Sequence, residues 1–453
     1  VIRLFDTATG EVRPLRQRRE GEVSMYVCGP TVYGPPHLGH GRFALVFDVL
    51  RRYLMWCGTE VVYVSNITDV DDKIIDRAAR EGTAPEEVAR HWEDVWWDAM
   101  DRIGVLRPTA DPHATAYIDD MVTLVGDLLE RGAAYVLADG IYFDTSSVGD
   151  YGLLARQDLE SLQAGARVDV DDAKRSPTDF ALWKLAKVGE PAWDSPWGPG
   201  RPGWHTECVV MSLDLLGPGF DLHGGGQDLA FPHHENERAQ AVAGGETFAG
   251  HWMHNGFVEV AGEKMAKSLG NFTDLADLCD RHDPRAFRLL VLRSHYRSPV
   301  EVSDTSAADA SRALERLDAF ARRVGEITGA ATVPDPATLD SFRALMDDDL
   351  DTPGVMDLVF TSVRRVNAML DDGDRDAAAP LAAAVLEICG AMGLDVHAAA
   401  DGDVPAVMAD LARRRDEARA ARDFALADSL RDQIQAQGWV VEDTATGTAI
   451  RRS

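Results

Sequence analysis

Lysine is scarce in this chain of 453 residues, standing only at positions 73, 174, 184, 187, 264 and 267, although arginine is abundant. Two of these lysines flank a single methionine, which excludes reading them as a generic solvated surface. Cysteine is scarce as well: five residues, at 28, 57, 208, 279 and 389, are odd in number and widely scattered. That pattern excludes a disulfide framework and fits free thiols or metal ligands. No apolar run approaches the length that spans a bilayer, and residues 1–20 are studded with Arg and with the acidic residues Asp6, Glu11 and Glu20. A membrane protein is therefore excluded, and a cytoplasmic setting is expected. Positive charge is also in deficit, with 46 Lys and Arg against 75 Asp and Glu, a net charge of −29. Global acidity argues against a nucleic-acid partner. Charge can be local, however, and arginines gather at Arg13 to Arg19, Arg413 to Arg422 and Arg451-Arg452.

What remains is ordinary for a globular protein, with 45% hydrophobic and 27% charged residues in a chain long enough for roughly two to four domains. The chain is organised around Met25 to Gly41, MYVCGPTVYGPPHLGHG. Met25, Tyr26 and Val27 read as the end of a buried strand, stopped by Cys-Gly-Pro, and chemistry gathers at such ends. His37 and His40 follow, three apart, ahead of an apolar run expected to be helical from 42 to 57. That spacing puts both imidazoles on the first turn of a helix, where free N–H groups and the dipole favour a phosphate.

Strand-like and helix-like patterns alternate up to about residue 110: Val23 to Val27, the helix, Glu60 to Ser65, then one long helix from Asp72. This is βαβ logic and predicts a parallel sheet. Asp71 or Asp72 reads as a helix cap rather than a magnesium ligand. From 112 to 200 helical periodicity over 114–131 gives way to short strands at Ala134 to Leu137 and Gly140 to Phe143. A loop-rich stretch, Gly189 to Gly203, follows. Phe220 to His223 reads as a strand running into Gly224-Gly225-Gly226, which would permit close backbone approach to a ligand. A helix begun by Pro232 would project His233 and Glu237 from one face. Each of Cys28, Cys208, His233 and Glu237 has a plain alternative: a lone Cys as a small core residue, a His/Glu pair as a surface ion pair. Residues 303–395 carry helical periodicity and predict a bundle, with Asp347-Asp348-Asp349 as a solvated face or cap. After an acidic linker near 397–404 come a helix pair at 405–437 and a hairpin-like tail. Trp439 there could stack on an unpaired base or fill a core.

The late stretch Lys264-Met265-Ala266-Lys267-Ser268 supplies the specific link. A flexible ammonium follows phosphate oxygens as they move, which suits nucleotidyl transfer. With the early H-x-G-H turn it resembles the signature pair of class I aminoacyl-tRNA synthetases, and the chain is similar from end to end to the cysteinyl-tRNA synthetase family.

The resemblance implies an α/β fold: a Rossmann-like parallel-sheet catalytic domain in two halves (1–111 and 201–244) split by a connective insertion (112–200). A stem-contact segment with the lysine loop (245–302), a helical bundle (303–396) and a small anticodon-binding domain (397–453) would follow. It implies ATP-dependent activation of L-cysteine and transfer to tRNA(Cys), with ATP and Mg2+ required and a monomer expected. His37, His40, Lys264 and Lys267 would be catalytic; Gly29, Thr68, Trp204, His223, Gly225 and Asp228 would line the substrate pocket. Cys28, Cys208, His233 and Glu237 match the family's zinc ligands, and that zinc would select the substrate thiolate. Two departures stand out. Ala266 replaces the more usual serine, a loss of about 1 kcal/mol of hydrogen bonding, and Gly34-Pro35-Pro36 replaces an acidic approach to the first signature. They leave open a mycothiol-type cysteine:amino-sugar ligase, or a catalytically silent paralogue. The C-terminal half favours a tRNA acceptor.

Overall fold

The computed structural model describes residues 1–156, 173–260, 263–264, 274–329, 332–396, 406–421, 423–437, 439–444 and 447–452. By compactness these fall into two units, 1–315 with 330–395, and 316–329 with 396–453.

The larger unit is built on a four-stranded parallel sheet in the order Trp252–Asn255, Leu222–Gly226, Glu22–Val27, Glu60–Val64. Five of the six residues in Glu22–Val27 are buried, as expected where a parallel strand is covered on both faces. The chain leaves Glu22–Val27 toward Glu60–Val64 and returns on the other side with Leu222–Gly226. The order therefore reverses at Glu22–Val27, and the crevice beyond its carboxyl end is where ligands bind in such sheets. Helix Leu38–Trp56 packs on this sheet closely enough that a Cβ at Gly224 would lie 2.3 Å from the Phe47 ring.

Several elements differ from the sequence reading. The first helix starts at Leu38 rather than 42, because His37 caps it. The long helix expected from Asp72 is two, Asp72–Glu81 and Pro85–Arg102. Gly82, at φ 68°, stops the first, and Pro85 opens the second. Asp71 is the cap, its carboxylate accepting the Lys73 N–H at 2.9 Å. The region after residue 130 holds a four-stranded antiparallel sheet in chain order, Ala134–Leu137, Gly140–Phe143, Phe180–Leu185 and Gly200–Pro202. Its last strand lies in what the sequence presented as loop, since Gly and Pro are tolerated at a sheet edge. The insertion sheet is tied to helix Asp72–Glu81 through Asp72, which accepts from Lys184 at 2.7 Å and from buried Arg201.

Helices Pro336–Asp347, Thr352–Asp371 and Arg375–Ala391 pack on one another within the same unit. In the acidic run beside them Asp348 is exposed and caps the C-terminus of Pro336–Asp347, as expected, whereas its two neighbours are tied into the unit. Asp347 accepts from the Tyr53 hydroxyl at 2.8 Å. Asp349, buried and at φ 58°, accepts from Phe5 N–H at 2.7 Å, Tyr296 hydroxyl at 2.6 Å and Arg297 Nε at 2.8 Å. Another buried pair, Asp48 with Arg288 at 2.6 Å, joins the first helix to Pro284–Leu292. Arg288 also donates to the carbonyls of Gly104 at 2.7 Å and Met392 at 3.3 Å. Asp48→Asn leaves that guanidinium uncompensated and is expected to destabilise the protein by about 3 kcal/mol, read as a shift in the denaturation midpoint.

The smaller unit contains helices Ala406–Ala420 and Phe424–Ala436 and an antiparallel hairpin, Trp439–Thr444 with Gly447–Arg452. Trp439 is buried with Leu411, Leu430 and Ile434, which decides between its two readings in favour of the core. Among the described residues, no helix of the chain is long and apolar enough to cross a membrane.

Candidate functional site

Four elements converge beyond the carboxyl end of Glu22–Val27. The strand itself delivers Cys28. Helix Trp204–Leu216 carries Cys208 in its second turn. The turn Ala230–His234 and helix Glu235–Ala243 carry His233 and Glu237. Phe231 has extended backbone angles, so the helical backbone begins at Pro232, as expected, and runs on into Glu235–Ala243. His233 meets Glu237, with Nε2 3.0 Å from Oε1. Cys28 Sγ lies 3.7 Å from Cys208 Sγ and 3.5 Å from Glu237 Oε1, and Cys208 Sγ lies 3.6 Å from His233 Nε2. All four side chains are buried, and one donor atom from each fits within 4.8 Å of the others.

Two sulfurs, an imidazole nitrogen and a carboxylate oxygen are a donor set that suits zinc. Its surroundings suit a cation too. Burial, with the neighbouring Cys208 thiol and Glu237, pushes the Cys28 thiol well above its usual range; burial also pushes the Cys208 thiol up and His233 well down. Three donors that resist charging on their own are held with the Glu237 carboxyl at a spacing one divalent ion would satisfy. A second layer orients them. Glu237 Oε2 sits 2.7 Å from His223 Nε2, and His233 Nδ1 sits 2.9 Å from His205 Nδ1. Burial and the Lys184 charge pull His205 down to about 3, so its ring is neutral. Trp204 stacks on the His233 ring at 3.9 Å and 16°. One donor atom from each of Cys28, His223, His234 and Glu237 likewise lies within 4.8 Å of the others, and this group shares Cys28 and Glu237 with the first set.

The other sequence-designated residues fall in three places. Gly29 donates its N–H to Asn66 Oδ1 at 2.9 Å, and a Cβ there would lie 1.7 Å from the Asn66 carbonyl oxygen, so only glycine fits. Thr68 accepts from Asn66 Nδ2 at 3.2 Å and donates to Glu207 Oε2 at 2.8 Å. Burial keeps the Glu207 carboxyl well above its usual range. His223 is fully buried, stacked on Trp252 at 4.8 Å, and so supports Glu237 rather than facing the open cleft. Gly225 is packed against His234 and Leu229. The glycine run thus admits the protein's own rings, with Gly224 serving Phe47, where the sequence suggested a ligand. Asp228 is exposed just past that strand. A cleft of about 1220 Å³ has Thr31, Lys73, Trp204, His205, Gln227 and His254 in its lining.

His37 and His40 form a reciprocal cap. His37 Nδ1 accepts the His40 N–H at 3.3 Å, His40 Nδ1 accepts the His37 N–H at 3.2 Å, and the rings stack at 3.6 Å. With each Nδ1 accepting, a neutral ring carries its proton on Nε2. Lys264 ends the short strand Glu263–Lys264, while Ala266 and Lys267 lie outside the described residues. Sequence reasoning missed Asn66, Glu207 and His205. All three were within reach as polar residues close to designated ones: Asn66 two before Thr68, Glu207 beside Cys208 and His205 beside Trp204.

Comparison with known proteins agrees with this geometry. The family of tRNA synthetases class I (C) catalytic domains matches residues 14–312, and the DALR domain family matches residues 341–397. A cysteine–tRNA ligase of Alkalilimnicola ehrlichii is 48% identical, covering 97% of this chain and 98% of its own length. That of Thioalkalivibrio sulfidiphilus is 46% identical over the whole of both chains. Among solved structures, Mycobacterium tuberculosis methionyl-tRNA synthetase in complex with methionyl-adenylate shares the fold. Its TM-score is 0.59 at 16% identity, over 82% of this chain and 89% of that one. A LeuRS–tRNA–LeuAMS complex from Agrobacterium radiobacter K84 has a TM-score of 0.62 at 11% identity, covering 84% of each. A buried thiol-bearing donor cluster at the crevice of a parallel sheet, a histidine-capped helix beside it, and near-half identity along the full length have one explanation: the chain belongs to the cysteine–tRNA ligase family of class I tRNA synthetases.

Proposed function

We propose that this protein activates L-cysteine with ATP and transfers the cysteinyl group to the 3′-terminal ribose of tRNA(Cys). The observation that carries the reading is the convergence of Cys28, Cys208, His233 and Glu237, four residues remote in sequence, on one buried point. These residues would hold zinc, which when bound offers a position that prefers a substrate sulfur to an oxygen. That preference is needed because size and hydrogen bonding separate cysteine from serine by only about 1–3 kcal/mol. His205 and His223 hold the imidazole and carboxylate of the set in orientation.

In the first step the cysteine carboxylate attacks the α-phosphorus of ATP and pyrophosphate leaves. No protein nucleophile is required, so positioning and charge stabilisation carry the rate. The Nε2–H groups of His37 and His40, with the free N–H groups of the helix start, donate to phosphate oxygens. Lys267, helped by Lys264, stabilises the departing pyrophosphate, and Mg2+ accompanies the nucleotide. Trp204 and the Gly29–Asn66–Thr68–Glu207 chain shape the amino-acid pocket, and Asp228 takes the ammonium or the ribose. In the second step the terminal ribose hydroxyl attacks the adenylate carbonyl. Residues 397–453 read the anticodon end. Because Trp439 is buried, the aromatic available there for base stacking is Phe424, 64% exposed.

The test is cysteine-dependent ATP–pyrophosphate exchange followed by charging. Exchange is expected, with product on tRNA bearing the cysteine anticodon. Exchange that instead consumes an amino-sugar acceptor would move the protein to the mycothiol-type ligases, and absence of exchange would leave a silent relative.

A further inference from the structure

Both ends of the segment between Lys264 and Asp274 are fastened to the short stretch that carries His37 and His40. Upstream, Val258–Val260 pairs with Glu263–Lys264 on one side and with Val300–Glu301 on the other, forming a three-stranded sheet. The chain just before each of the longer-range partners converges on Arg42. Its guanidinium donates to the carbonyls of Phe257 and Ser298, and to that of Tyr296 at 3.2 Å. Downstream, the Leu275 N–H donates to the Pro36 carbonyl at 2.9 Å, and Asp274 bridges to His37.

The grip is tight. Gly256 N–H donates to Tyr296 O at 2.8 Å, and a Cβ at Gly256 would lie 2.6 Å from the Arg297 carbonyl oxygen and 2.8 Å from that of Ser298. Arg42 itself is buried, and burial pulls its guanidinium down to about 10, which leaves it charged at neutral pH. One planar fork thus ties three carbonyls from two chain segments to the helix that His37 caps. A lysine ammonium, as a single point, cannot reproduce that span.

We propose that Arg42 is a positioning residue for activation: by clamping the roots of Val258–Val260 and Val300–Glu301 it fixes Lys264 at a set distance from His37 and His40. This rests on the roles given above to those three residues. Arg42 touches no substrate in this scheme and acts through the backbone it holds. An arginine serving stability alone would change the folded fraction and leave each folded molecule with normal chemistry.

Two variants separate these cases. Arg42→Lys keeps the charge and loses the fork. Gly256→Ala leaves Arg42 intact and forces the clamped segments apart. Exchange rates are measured per active site, alongside amide hydrogen exchange of residues 258–264. Each variant is expected to lower kcat about 10- to 100-fold with KM for cysteine within about twofold, because a misplacement of about 1 Å is that costly. In both, amides of 258–264 exchange faster while those of Glu22–Val27 do not. Wild-type kcat per active site in both variants, or reduced kcat with unchanged exchange at 258–264, overturns the proposal. If the wild-type protein shows no pyrophosphate exchange, the functional reading fails by itself. The hydrogen-exchange arm then decides the clamp: faster exchange at 258–264 upholds it and unchanged protection there overturns it.

Discussion

Cys208→Ser is expected to lose zinc and cysteine activation together, with kcat/KM in pyrophosphate exchange falling on the order of 10³-fold, about 4 kcal/mol. The side chain sits where no other residue can replace it, with Sγ 3.7 Å from Cys28 and 3.6 Å from His233 Nε2, fully within the core. Serine keeps the volume and hydrogen-bonding capacity, so the fold should survive, but a hydroxyl is a far poorer ligand for zinc than a thiolate. Elemental analysis of the purified variant and the exchange assay are therefore expected to move in step. Removal of metal from the wild-type protein by a chelator should reproduce the kinetic loss, and re-addition of zinc should reverse it in the wild type only. Unchanged zinc content in Cys208→Ser would remove that residue from the ligand set and favour the overlapping group of Cys28, His223, His234 and Glu237.

His40→Ala is expected to lower kcat of exchange by about 10²–10³-fold with little change in the KM for cysteine, because its Nε2–H acts where charge builds up on phosphate. The substitution also removes half of the reciprocal cap with His37, which should cost about 1 kcal/mol of stability. The two effects are separable, since the cap loss appears in thermal melting and the kinetic loss persists per folded active site. Zinc content should be unaffected. A variant with normal kcat would restrict His40 to capping.

Much of the catalytic half was legible because local chemistry is written locally. The alternation of patterns up to residue 110 gives a parallel sheet, and the structure has Glu22–Val27 paired with Glu60–Val64 in parallel. Boundaries were less legible where an unusual group does an ordinary job. Imidazoles cap the first helix, so its start at Leu38 carries no Ser, Thr, Asp or Asn to mark it. The buried Asp349 reads as a surface charge because its partners, Phe5, Tyr296 and Arg297, are remote in the chain. His223 reads as a pocket residue from its place at a strand end, and only packing against Trp252 and Glu237 reveals it as a support.

By itself the amino-acid sequence determined the chemistry on offer: two histidines at a helix start, two lysines about one methionine, and unpaired thiols in a chain poor in both lysine and cysteine. Residue spacing carries that information because neighbours along a helix or strand are also neighbours in space. Only the tertiary structure decided that Cys28, Cys208, His233 and Glu237 share one buried point, that Asn66, 3.7 Å from Cys208 Sγ through its Oδ1, and His205 attend it, and that Arg42 holds the lysine-bearing sheet to the histidine-capped helix. Those relations join segments far apart in the chain, and the order in which parallel strands enter a sheet, which sets them, leaves no periodic trace in the sequence.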